Sequence, residues 1–175
     1  MSASRGSIAL IGGAVLLATG FMCSSVDVAR GEPQCAAPRP ATDARFRPGQ
    51  IWGYRTRAGE DASTLTILRI ETLPKVGEIV HVRIDGVQFK NCAGGTVPNE
   101  IAHAPFSRAA IEKSVTTLRS HLHDLPEYEQ GYESWRSHCG GVYTIGVAEM
   151  VDVDDQTFNA NLGCKVPNKL TSGSM

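Results

Sequence analysis

The sequence predicts an α+β domain, an antiparallel sheet of four to five strands with two to three helices packed on it. Two observations carry that reading. Strand-like runs from Ile51 to Asn91 follow one another through tight turns, which pairs neighbours antiparallel. Helical periods are grouped after them, from Ser107 onward, as in folds that segregate helices from the sheet. A small β-barrel with helices is the alternative architecture. The chain has 175 residues, enough for one ordinary domain that buries its own core without a metal.

Residues 1–25 read as a secretory signal. Arg5 precedes an apolar run from Ile8 to Met22, which suits an h-region and is short for a membrane span. Ser25, with Cys23 two positions earlier, gives an acceptable cleavage site. A lipoprotein anchored at Cys23 is the rival, disfavoured by the bulk of Phe21 and Met22 just before it. Residues 26–48 are rich in Pro, Ala and Arg and read as a linker, tied down only if Cys35 is bridged. Residues 49–164 form the domain, and 165–175 a loose tail.

Pro48-Gly49 turns into a strand carrying Ile51, Trp52 and Tyr54. The run "STLTILRIETL" offers Leu65, Ile67, Leu68 and Ile70 to both faces, as in a central covered strand. In "EIVHVRI", Val80, Val82 and Ile84 point one way and His81 and Arg83 the other. Asp85-Gly86 is the strongest two-residue hairpin signal and leads into "VQFKN". "CAGGTVPN" reads as a loop.

The clearest helix starts at Ser107, whose hydroxyl can accept an orphan amide. Phe106 and Ile111 form a hydrophobic staple around it, and Ile111, Val115, Leu118 and Leu122 make one apolar stripe. A second helix is expected over about 125–137, with Asp124 and Glu127 in capping-box positions and Tyr128, Tyr132 and Trp135 as a buried aromatic stripe. Gly131 inside it costs about 1 kcal/mol against Ala unless something packs close there. "VYTIGV" reads as a further strand. Val147, Val151, Phe158 and Leu162 then share a helical face that ends at Gly163.

After cleavage, Cys35, Cys92, Cys139 and Cys164 remain. An even count in an exported chain points to two disulfides, with three possible pairings. The net charge of −1 argues against a nucleic-acid face, which needs a basic excess. Nucleophile-elbow, Ser-x-x-Lys and phosphate-loop motifs are missing from the sequence, and no cofactor is expected. His121, His123 and His138 are the minority choice for a metal site. His121 and His123 would diverge on a helix, and histidines near helix ends are explained by the negative C-terminal pole. Arg55, Arg69, His81 and Arg83 are expected to share one sheet face able to take an anionic ligand, peptide or glycan, although charges on an open face are ordinary.

The runs "PGQIWGYRTRAGEDASTLTIL", "IVHVRIDGV", "HAPFS", "KSVTTL", "GYESWR" and "GGVYTIGVAE" resemble a small bacterial exported family with no activity attached. The resemblance spans Pro48 to about Glu149. It implies a periplasmic or secreted protein, or an outer-membrane lipoprotein through Cys23, and transfers no catalytic residue. The leading expectation is a non-catalytic binding or accessory module with a protein or glycan partner in the envelope, touching the membrane only if Cys23 is lipidated. The alternatives are a metal-assisted hydrolase using the histidines and a small secreted inhibitor or immunity-type protein.

Overall fold

The computed structural model describes residues 35–164. Five strands run antiparallel in the order β5-β4-β3-β2-β6, where β2 is Gln50–Tyr54, β3 Thr64–Leu73, β4 Gly77–Lys90, β5 Thr96–Ser107 and β6 Val115–His121. A two-residue strand β1, Arg39–Pro40, pairs with the far end of β3 at Thr72 and Glu71. The helices are α1 (Arg108–Ser114), α2 (Glu129–Ser137) and α3 (Val147–Asn161). The fold is therefore α+β, and the sheet stays open rather than closing into a barrel.

Bulges decide which side chains reach the core. Ile67 opposes Val82 and Arg69 opposes His81, so Leu68 is an extra residue that switches β3 from one face to the other. Leu65, Ile67 and Ile70 all reach the core for that reason, despite their mixed parity. Arg69 and Glu71 are thrown onto the opposite face. Asp85-Gly86 makes a second bulge rather than the expected hairpin turn. β4 runs straight through it, with Gly86 at φ 77° and unpaired between the Asp85–Glu100 and Val87–Asn99 pairs. Glycine adopts that left-handed conformation without strain. The turn back to β5 comes later, at residues 91–95, and Thr96–Ser107, part of it read as a loop, is a full edge strand.

The first helix starts as predicted, with the Ser107 hydroxyl accepting from the Ala110 amide at 3.3 Å. It stops at Ser114, not near Leu122. Val115, Thr116 and Thr117 are β-branched, and the free edge of β2 offers Val115–His121 a ladder of backbone partners. Leu118 is consequently half exposed, not part of a buried stripe. The second helix begins at Glu129. Asp124 lies exposed in the preceding loop and caps nothing. "VYTIGV" contributes one bridge, Tyr143 to Phe106, and no strand. The third helix is as read, with Val147 and Val151 buried and Phe158 packed against the core, although Leu162 stays exposed.

The core lies between one sheet face and α1 and α3. It includes Leu65, Ile67, Ile70, Val80, Val82 and Ile84 from the sheet and Ile111, Met150 and Val151 from the helices. Phe46, fully buried, belongs to it too. The packed part of the chain thus reaches back into residues 26–48, and Cys35 is tied down by a disulfide to Cys139. A second bridge joins Cys92 to Cys164. Each bridge holds the C-terminus of a helix. After α2, Cys139 occupies a left-handed position (φ 48°) and its amide bonds Arg136 O, while the Gly140 amide bonds Trp135 O at 2.8 Å. After α3, Gly163 and Cys164 repeat the pattern on Ala160 and Asn159. The expected signal segment 1–25 and tail 165–175 lie outside the described residues.

Arg57, in the β2–β3 loop, ties that loop to α3 and β4. It donates to Glu60 at 2.9 Å, to Asp155 at 3.0 Å and to Gln88 O at 2.9 Å. Glu60 and Asp155 are almost fully buried and accept the backbone amides of Gln88 and Lys90. Replacing Arg57 with Ala leaves two buried carboxylates without their cation. That change is expected to lower stability by about 3–5 kcal/mol in urea unfolding.

Candidate functional site

The sheet face opposite the main core carries a polar cluster roofed by α2. The β3 bulge supplies Arg69 and Glu71, and β4 supplies His81. His103 sits in a third bulge, on β5, where two residues separate Ile101 and Ala104 against one on β4. Bulges re-aim side chains, and this one turns His103 toward His81. α2 adds Gly131, Tyr132 and Trp135 from above.

Glu71 is the hub and is fully buried. Its carboxylate accepts from Arg69 Nε at 2.5 Å and from the Tyr132 hydroxyl at 3.0 and 3.1 Å. The Arg69 guanidinium also lies 4.7 Å from the Tyr132 ring centre. His81 Nε2 is 3.4 Å from Glu71 Oε2, close but too poorly aligned for a hydrogen bond. On its other side, His81 Nδ1 is 2.9 Å from His103 Nε2, and the two rings lie nearly parallel with their centres 5.1 Å apart. Electrostatics assign the protons. The nitrogen facing the carboxylate carries hydrogen, so His81 Nδ1 accepts from His103 Nε2–H and His103 Nδ1 is left with a lone pair.

Burial sets the acid–base character. His81 is lowered to about 3 by burial first, then by His103 and Arg69. His103 is lowered to about 4 by burial. Tyr132 is raised by burial and by its bond to Glu71. For Arg69 burial works downward most strongly of any one cause, but the bond to Glu71, the Glu71 charge and the neighbouring tyrosines together raise the group. The cluster is thus a buried carboxylate beside two neutral histidines, with one hydrogen bond joining the histidines to each other and none joining His81 to Glu71.

Trp135 links this interior to the surface. Its ring packs nearly perpendicular to His81 with the ring centres 4.8 Å apart, and its indole N–H donates to Gly141 O at 2.9 Å. The partly exposed ring is the shared wall of two grooves. One, of about 290 Å³, runs between Cys35, Pro38, Leu73 and the Cys139 end of α2. The other, of about 360 Å³, is bounded by Pro105, Val142 and Tyr143.

The structure separates the residues that the sequence put forward. Arg69, His81 and Arg83 do share a face, but Arg83 is paired with Asp85 and Glu100, Arg69 with Glu71, and His81 lies beneath α2. Arg55 lies exposed just past the end of β2. His121 ends β6, His123 is exposed beside Asp124, and His138 caps α2, its ring 2.7 Å from Ser134 O. Those three histidines do not converge, and among the described residues no group of three or more His, Cys, Asp or Glu is placed to hold a metal ion. Cys35, Cys92, Cys139 and Cys164 form the two disulfides already described. Glu71 and His103 were missed. The runs "IVHVRIDGV", "HAPFS" and "GYESWR" meet in this cluster. Comparison with protein families, curated proteins and solved structures finds no match.

Gly131 is explained by His103. A Cβ at that position would sit 2.7 Å from the His103 Cβ, closer than carbon atoms approach. On an open helix, Gly to Ala gains about 1 kcal/mol. Here Gly131→Ala is expected to do the reverse and destabilise by about 1–3 kcal/mol through overpacking, read as a fall in the urea midpoint. A stabilised variant would show that α2 does not press on His103.

Proposed function

We propose that the chain is an exported, disulfide-stapled binding or accessory module that holds an extended segment of a partner protein across Trp135. The observation that carries this reading is the position of that ring. It stands partly exposed between two grooves whose walls include Pro38, Leu73, Pro105, Val142 and Tyr143. Aromatic and aliphatic walls with a few polar groups suit an extended apolar or proline-containing peptide, and a central tryptophan is the side-chain type that most often dominates such contacts.

The export part of the proposal draws on the two disulfides and on the signal-like residues 1–25. A periplasmic or secreted location follows from cleavage near Ser25, and an outer-membrane location from lipidation of Cys23. No helix among the described residues is long and apolar enough to cross a membrane.

The test is to screen the disulfide-intact domain against extended peptides and against glycans. Peptide binding is expected, weakened by about 30-fold or more in Trp135→Ala and unchanged in Leu118→Ala on the distant edge strand. Binding that ignores Trp135 would overturn the proposal, and selective binding of glycans would replace the peptide with a sugar as ligand.

A further inference from the structure

α2 is nine residues long, below the length at which a helix is stable alone. Its N-cap, Tyr128, makes no side-chain capping bond, and Tyr132 is its one buried residue. What holds it to the sheet is the fit of Tyr132, Trp135 and Gly131 over Glu71, His81 and His103, together with the Cys35–Cys139 bridge at its C-terminal end. We propose that this cluster makes α2 an acid-released flap: protonation of His81 and His103 drives its N-terminal end off the sheet, while the disulfide keeps its C-terminal end tethered.

The geometry leaves no place for a second proton while α2 is down. The first goes to His103 Nδ1, on a partly exposed ring pressed against Gly131, and leaves the bond to His81 in place. The second would go to His81 Nδ1, which replaces the 2.9 Å hydrogen bond by two N–H groups meeting head to head. The charged groups around the pair offer little compensation. From β3, Arg69 adds like charge, and Glu71 is already shared between Arg69 and Tyr132. From β4, Arg83 lies further along the same face, bound to Asp85 and Glu100. From α2, Glu133 and Arg136 pair with each other at the surface. Lifting α2 admits water to the fully buried His81 ring.

The sign follows from linkage. The closed form holds its histidines well below the free value of 6.5, so it binds fewer protons than the open form, and acid favours opening. Each histidine contributes up to about tenfold per pH unit below 6.5, until the closed form's own value is reached, about 4 for His103 and about 3 for His81. Trp135 rides on α2, so opening reshapes both grooves whatever they bind.

Hydrogen exchange with mass spectrometry on the disulfide-intact domain, between about pH 7 and about pH 4.5 and corrected for the intrinsic pH effect, reads this directly. The expected result is a loss of α2 protection of about 100-fold or more, with β3 and β4 unchanged. His103→Gln should make the dependence shallower, and His138→Gln, at the exposed end of α2, should leave it as it is. Constant α2 protection, loss of β3 and β4 protection together with α2, or an unchanged slope in His103→Gln would overturn the proposal. If His103→Gln does not fold, carbon-labelled histidine titration of the unmodified domain decides. Two histidines must titrate together with α2 opening, and a His103 that titrates near 6.5 with α2 still protected refutes the flap.

Discussion

One buried carboxylate organises the second face of this sheet. Glu71 has no solvent access, and an unpaired charge in such a place costs several kcal/mol. Its partners are therefore obligatory rather than decorative. Arg69 comes from the same strand and neutralises it, and Tyr132 comes from α2 and brings the helix with it. His81 is wedged between that carboxylate and His103, and His103 in turn fixes how closely Gly131 must approach. A short amphipathic helix is thus docked by polar geometry, where a larger apolar face would ordinarily do the same. The opposite face follows the commoner solution, with aliphatic strands packed under α1 and α3.

The two disulfides complement this division. Both grip the turn that ends a helix, α2 through Cys139 and α3 through Cys164. They close separations of 104 and 72 residues, long loops whose restriction in the unfolded chain contributes about 4–5 kcal/mol each in the chain-entropy account. For α3, which also has buried apolar contacts, the bridge is an addition. For α2 it is one of two anchors, which is why the helix can be held at one end and released at the other.

Much of this was legible in the sequence where local and tertiary preferences agree. Alternation at Val80, Val82 and Ile84 marked the core face of β4, and Ser107 marked the start of α1. The errors have physical causes. Ile111, Val115, Leu118 and Leu122 keep a helical period, yet the β-branched run after Ser114 and the unpaired edge of β2 favour a strand. Residues 96–101 alternate between exposed and part-buried and carry few large apolar groups, so an edge strand looked like a loop. The bulges at Leu68 and Ala102–His103 have no simple sequence signal, and they decide which residues form the cluster. Arg69 shares parity with Leu65 and Ile67 in the sequence but faces away from them in the fold. The glycine inside α2 was the one local anomaly that pointed to a close neighbour.

The claim that the Glu71–Tyr132 bond docks α2 is tested most directly by a double-mutant cycle in urea unfolding, using Glu71→Gln, Tyr132→Phe and the double variant. A hydrogen bond to a buried charge predicts a coupling of about 1.5–3 kcal/mol between the two positions. Additive effects, with a coupling within about 0.5 kcal/mol of zero, would contradict it.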